Sequence, residues 1–174
     1  MKKIAALVLA LCLALSMACA EETAIEWNDD TANAFEKAGY SGEFFGMGDF
    51  GIEFMLPSNL KEAEMTEEDE EKEIFLKYEA DDGMTLEVSY TEGDASLFDS
   101  FVEMFKDEGK TDAAIGTING FTVLGYSDNN GASQTAIVDT GIELLLTFTF
   151  NGITEGNSSL PSFVFASIRP MSEE

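Results

Sequence analysis

Two stretches of alternating side chains, joined by three turn formers, narrow the choice of fold more than any other part of this chain. Ile74, Leu76, Tyr78 and Ala80 alternate with other residues, Asp81-Asp82-Gly83 comes next, and Met84, Leu86, Val88 and Tyr90 alternate back. A strand turns successive side chains to opposite faces, so a period of two broken by turn formers predicts an antiparallel hairpin with one buried face. The pattern recurs. Residues 113–118 and 121–127 flank Asn119-Gly120, a pair that accepts the positive φ of a two-residue hairpin turn. Asp128-Asn129-Asn130-Gly131 leads into residues 135–138, and Asp139-Thr140-Gly141 into residues 142–150. Upstream, Ile52, Phe54 and Leu56 alternate as a strand that stops at Pro57.

Helical signals are fewer. Ser96 reads as an N-cap with Asp99 three residues on, and Leu97, Phe101, Met104 and Phe105 recur on one face of a helix that Gly109 ends. A shorter helix is expected over 32–38, capped by Asp29 or Asp30 and stopped by Gly39, with Trp27 stapled onto the core just before it. Near the end, Ser159 and Pro161 open either a helix with Leu160, Val164 and Ile168 on one face or a strand through 162–168. These elements predict an α+β fold. It has a mainly antiparallel sheet of about six strands, with a central amphipathic helix over 97–108 and short terminal helices packed on it.

The first residues read as an export signal. Met1-Lys2-Lys3 precede an apolar run over 4–15 that is too short to anchor in a bilayer, and Ala18 and Ala20 supply the small side chains for cleavage after Ala20. The alternative is a lipoprotein acylated at Cys19; Ala18 suits it, but Ser16 stands where such signals carry Leu. The expected organisation is a signal peptide at 1–20, a lead-in with a short helix at 21–40, a single globular domain at 41–170 and a tail at 171–174. The expected localisation is secreted or extracellular, or the cell surface if Cys19 is lipidated.

Removing 20 of the 174 residues leaves 154, enough for one domain with a real core. Cys12 and Cys19 both leave with the signal, so the mature chain has no thiol for nucleophilic or redox chemistry and no disulfide. Lys2 and Lys3 leave too, so seven of the nine cations face all 34 carboxylates, a net charge of −27. That field repels nucleic acid and anionic membrane surfaces, keeps the chain a monomer and favours cationic partners. Crowded carboxylates are also expected to raise one another's pKa, so salt and mild acid should stabilise the fold. Fourteen Phe and 45% hydrophobic residues argue against disorder. The chain has no histidine, which removes Ser-His-Asp triads, most zinc sites and the usual near-neutral base.

Motifs that suggest chemistry do not develop into sites. Gly46, Gly48 and Gly51 have the spacing of a dinucleotide loop, but they lead into the strand through Ile52 rather than into a helix, so a turn or bulge is expected. Glu67-Glu68-Asp69-Glu70-Glu71 reads as a solvated loop or frayed helix; calcium binding would need alternating ligands and a glycine turn. The Asp128 turn lacks the closing Glu of a calcium loop. Asn157-Ser158-Ser159 is a glycosylation sequon that matters only in a glycosylating host. No catalytic, cofactor-binding or metal residue is assigned, no cofactor is expected, and no membrane span is read. The expected role is a non-enzymatic binding or adaptor protein for an unknown protein or small ligand. A hydrolase built on two carboxylates about 5–10 Å apart is the alternative, as is a structural surface lipoprotein.

The Ile25-Glu26-Trp27 opening, the Leu56-Pro57 strand end, the Asn119-Gly120 hairpin and the Ala166-Ser167-Ile168 ending, in this order of elements, resemble the PsbP-like fold. The chain also looks like small secreted proteins of unknown activity from gut-type Gram-positive bacteria. The resemblance spans 27–169. It implies an antiparallel sheet with helices packed on it and a binding or adaptor role, with no shared catalytic set to carry over.

Overall fold

The alternating segments lie mostly in strands of the structure, a computed structural model that describes residues 24–108, 110 and 112–171, with Met84, Ala113 and Ile142 falling just outside the strands. The expected signal segment with Cys19, the expected helix stop Gly109 and the last three residues lie outside the described residues. Ten strands precede the last helix: β1 Ala24–Ile25, β2 Gly42–Met47, β3 Ile52–Pro57, β4 Leu60–Glu62, β5 Ile74–Ala80, β6 Thr85–Glu92, β7 Ala114–Ile118, β8 Phe121–Asp128, β9 Ser133–Asp139 and β10 Leu144–Asn151. A short β11, Arg169–Pro170, comes after it. The helices are α1 Asp29–Lys37, α2 Glu67–Glu71, α3 Phe98–Asp107 and α4 Leu160–Ser167.

Eight strands, rather than about six, form one sheet in the order β1-β7-β8-β9-β10-β6-β5-β4. The excess comes largely from its edges, where β1 and β4 have two and three residues, too few to show a period. Among the described residues only the β1–β7 pair of this sheet is parallel. A second sheet, β11-β3-β2, stands apart. Its edge strand β2 contains Gly46, and the residues read as a turn or bulge divide between that strand and a 3₁₀ turn at Gly48–Phe50, with Gly51 at φ 65°.

Register assigns the faces of the large sheet. Leu86 pairs with Phe150, Val88 with Phe148, and Val138 with both Leu146 and Val123, so these side chains share one face. All are buried, together with Ile52 and Phe54 of the small sheet and Phe163, Val164 and Phe165 of α4. Helix α4 resolves the helix-or-strand ambiguity at the chain end. All eight of its residues are buried, and its two polar ones, Ser162 and Ser167, are too few to form a polar side.

The opposite face carries a smaller cluster, Leu124, Ile137 and Leu145 against Phe98 and Phe105 of α3. The helix expected at the centre is therefore a satellite, and α4 takes the place in the main core. The apolar face of α3 is also rotated. Phe98 and Phe105 are buried, while Leu97 is 39% and Met104 45% exposed. Its cap lies further back, where the Asp94 carboxylate accepts from Ser96 N and a 3₁₀ turn at Ala95–Leu97 leads in. Likewise Asn28, not Asp29 or Asp30, caps α1 by accepting from the amides of Asp30 and Thr31.

Asn119 ties the layers together. It adopts φ 47° and Gly120 φ 91°, the paired positive values of the two-residue turn expected between β7 and β8. Its side-chain oxygen accepts from Trp27 N at 2.7 Å, and its amide donates to the carbonyls of Ala166 at 2.9 Å and Ile168 at 2.7 Å. One turn residue thus holds the N-terminal strand, the sheet and the end of α4.

Candidate functional site

Strand β2 reaches its position because a glycine allows it. A Cβ on Gly42 would collide with the Leu56 carbonyl, so any larger residue would force β2 and β3 apart at this end. Phe45 opposes Phe54 in register and its ring meets Tyr78 of the large sheet, so Phe45 faces between the layers. Glu43 and its register partner Leu56 share that orientation. Phe44 faces outward, where its ring meets the edge of Trp27 and lies 3.6 Å from the Arg169 guanidinium carbon.

Where β2 and the end of β3 pass β4, the layers part. The cleft has a volume of about 340 Å³ and is lined by Glu43, Phe44, Phe45, Leu56, Pro57, Ser58 and Leu60. Five of its seven lining residues are apolar, with the Ser58 hydroxyl 2.8 Å from that of Ser41 and Glu43 as the one charged side chain. Glu43 is exposed and makes no hydrogen bond or ion pair among the described residues. Cations elsewhere already hold carboxylates: Lys61 with Asp81, Lys72 with Glu68, Lys77 with Asp69, Lys110 with Glu108 and Arg169 with Glu53.

The motifs weighed in the sequence have structural roles. Trp27 is half-buried, edge-on to Phe35 and Phe44. The acidic run forms α2 with a capping box, in which Thr66 Oγ1 accepts from Asp69 N and the Asp69 carboxylate accepts from Thr66 N. Asp69 is not solvated. It is 5% exposed and accepts twice from Lys77 Nζ, at 2.9 and 3.0 Å. The Thr66-x-x-Asp69 spacing was the available signal for this cap. Lys77, then Thr66, hold the Asp69 pKa down to about 2. Lys72 lowers Glu68, Asn157 lowers Asp82, and Ser96 lowers Asp94. At these four carboxylates the shift opposes the upward one expected from crowding. Asp128 lies within 3.8 Å of Lys110 Nζ. Asn157 is buried and donates to Asp82 at 2.9 Å, which occupies the amide a glycan would need. Among the described residues no group of three or more Cys, Asp or Glu is arranged to hold a metal, and no helix is long and apolar enough to cross a membrane.

No family model matches this chain, and no curated protein matches it. Solved structures do. The solution structure of cyanobacterial PsbP (CyanoP) from Synechocystis sp. PCC 6803 is 14% identical, with a TM-score of 0.53 over 75% of this chain and 93% of that one. A crystal structure from Bacteroides thetaiotaomicron VPI-5482 is 16% identical, with a TM-score of 0.47 over 76% of this chain. The matched region spans 49% of that protein. The likeness to cyanobacterial PsbP establishes a PsbP-like fold and nothing about activity.

Proposed function

We propose that this chain is an exported, acidic, non-enzymatic binding or adaptor protein whose partner engages the cleft between β2 and β4. The observation that carries the reading is the cleft's makeup, a hollow of about 340 Å³ lined by five apolar residues, a serine and a single carboxylate, Glu43. Such a hollow can hold a side chain and orient a cation beside it. Acid–base hydrolysis by two carboxylates would need a second acid facing the same space. Histidine is missing from the whole sequence, which leaves few other near-neutral bases.

In this reading residues 1–20 are removed on export, 21–40 lead into a single domain over 41–170, and 171–174 form a tail. The mature protein is a secreted monomer, and kinship with small secreted proteins of gut-type Gram-positive bacteria is part of the same proposal. Intact mass of the secreted chain tests export. A mass starting at Glu21 agrees with it, and an acylated Cys19 replaces it with a surface lipoprotein. Affinity capture from culture medium tests the cleft, with residues 21–174 as bait and Glu43→Lys beside wild type. A partner held by wild type and lost by the variant supports the proposal. Equal capture by both moves the site elsewhere, and no capture by either ends the binding reading.

A further inference from the structure

Resting on the binding role of this cleft, we infer that its occupant is an extended cationic peptide that adds as a strand to the free edge of β2. In the small sheet β2 is the terminal strand and among the described residues pairs only with β3, so its other edge presents backbone groups that no described strand pairs. Glu43, Phe44 and Phe45 are consecutive, and strand geometry points them to alternate faces, yet all three border the hollow. Phe44 is committed to Trp27 and Arg169 on the outer face, so it borders the hollow at the strand's edge. Three consecutive residues of β2 thus lie beside the cleft.

The other edge at this cleft is blunted. Strand β4 has three residues and carries Lys61, a device that discourages pairing. Strand β2 has six residues, Gly-Glu-Phe-Phe-Gly-Met, with neither Lys nor Pro to protect it. Main-chain bonds along such an edge supply affinity, and alternate side chains supply choice. Here Glu43 and Phe45 face the hollow with Leu56 and Leu60, which suits a Lys or Arg two residues from an apolar side chain. Charge selects the occupant. The chain has 34 carboxylates against nine cations, and Lys61, the cation on the facing strand, is already paired with Asp81. A second copy would bring the same negative field to the same edge.

The test uses residues 21–174 and a fluorescein-labelled heptapeptide with Lys, Leu and Lys at its second, fourth and sixth positions and Thr elsewhere, read by anisotropy. Two further peptides carry backbone N-methyl groups, one set on the Lys and Leu residues and the other on the intervening Thr. An added strand points alternate amides at its neighbour, so one methylated peptide should lose about tenfold or more in affinity and the other should stay within about twofold. Glu43→Lys should lose about tenfold at about 0.05 M salt, and a peptide with Glu in place of Lys should not bind. If both methylated peptides bind like the parent, strand addition is overturned while cleft binding stands. If none of the cationic peptides binds, the inference is overturned, and capture from medium still judges the cleft independently. Sedimentation showing a dimer that Glu43→Lys disrupts would assign the edge to a second copy instead.

Discussion

On one face of the eight-stranded sheet, Leu86, Val88, Val123, Val138, Leu146, Phe148 and Phe150 are buried against the small sheet and a helix with no exposed residue. On the other, Leu124, Ile137 and Leu145 meet two phenylalanines of α3, while Thr135 and Thr149 beside them hydrogen-bond at 3.2 Å. The first face is mostly apolar, and the helix that covers it is buried on every side. The second is part apolar and part polar, and an amphipathic helix suffices to cover its corner. The difference shows why α4, short and without a strong polar face, is the central helix, whereas α3, with the clearer periodic pattern, lies at the periphery. Amphipathicity marks a helix that keeps one side in water, so the helix easiest to read is the less buried one.

Truncating a ring on each face gives the sharpest test of this contrast. Phe165→Ala should cost about 3–5 kcal/mol, because its surroundings are fixed by both sheets and cannot collapse onto the space. Phe105→Ala should cost about 1–3 kcal/mol, since α3 can shift toward the sheet. Urea titrations of both variants check the order, and a larger loss at Phe105 would break the comparison.

The tie between layers comes next. Asn119→Gly keeps the positive φ of the turn but removes the side chain that joins Trp27 to the Ala166 and Ile168 carbonyls. Leaving those partly buried groups unpaired should cost about 2–3 kcal/mol. Amide exchange should rise at Trp27, the one amide among these partners. Wild-type stability in this variant would show that the turn alone is what the protein needs.

Acid probes an ion pair between α2 and the sheet. Lys77 and Thr66 hold Asp69 at about 2, below the ordinary 3.8, so its folded form releases a proton more readily than the unfolded chain does. The resulting stability is complete above pH 4 and is lost as pH falls toward 2. The melting temperature should drop across that window, and Asp69→Asn should flatten the drop. An equally steep slope in the variant would assign acid sensitivity to other carboxylates.

The smallest effect expected is that of salt. Net repulsion is screened as the Debye length falls from about 30 Å at 0.01 M to about 10 Å at 0.1 M. The melting temperature should rise by a few degrees over that range, because the six ion pairs among the described residues, two of them formed by partners that are both well exposed, lose less than the global repulsion yields. A fall with salt would show that these pairs outweigh the repulsion.

Sequence alone determined what depends on neighbours along the chain. Asn119-Gly120 sets a turn because few other residues accept two successive positive φ values, and the alternation in 74–90 sets a hairpin because one face must leave water. Thr66-x-x-Asp69 carried the same kind of local signal, although the acidic run was read as a solvated loop or frayed helix. What escaped depends on partners far away in the chain. Periodicity shows that α3 has an apolar side but not which residues of it meet a sheet, so it places Leu97 and Met104 inward in error. Asp94 and Ser96 are both competent caps, and only the path of the chain chooses between them. Two- and three-residue edge strands carry no period, and Gly42–Met47 hides its pairing behind glycines whose use appears only beside Leu56. The cleft was out of reach for the same reason. It joins residues 43–45 to 56–60 across two sheets, and its one unpaired carboxylate could be recognised among 34 only after the tertiary structure had given partners to so many of the cations.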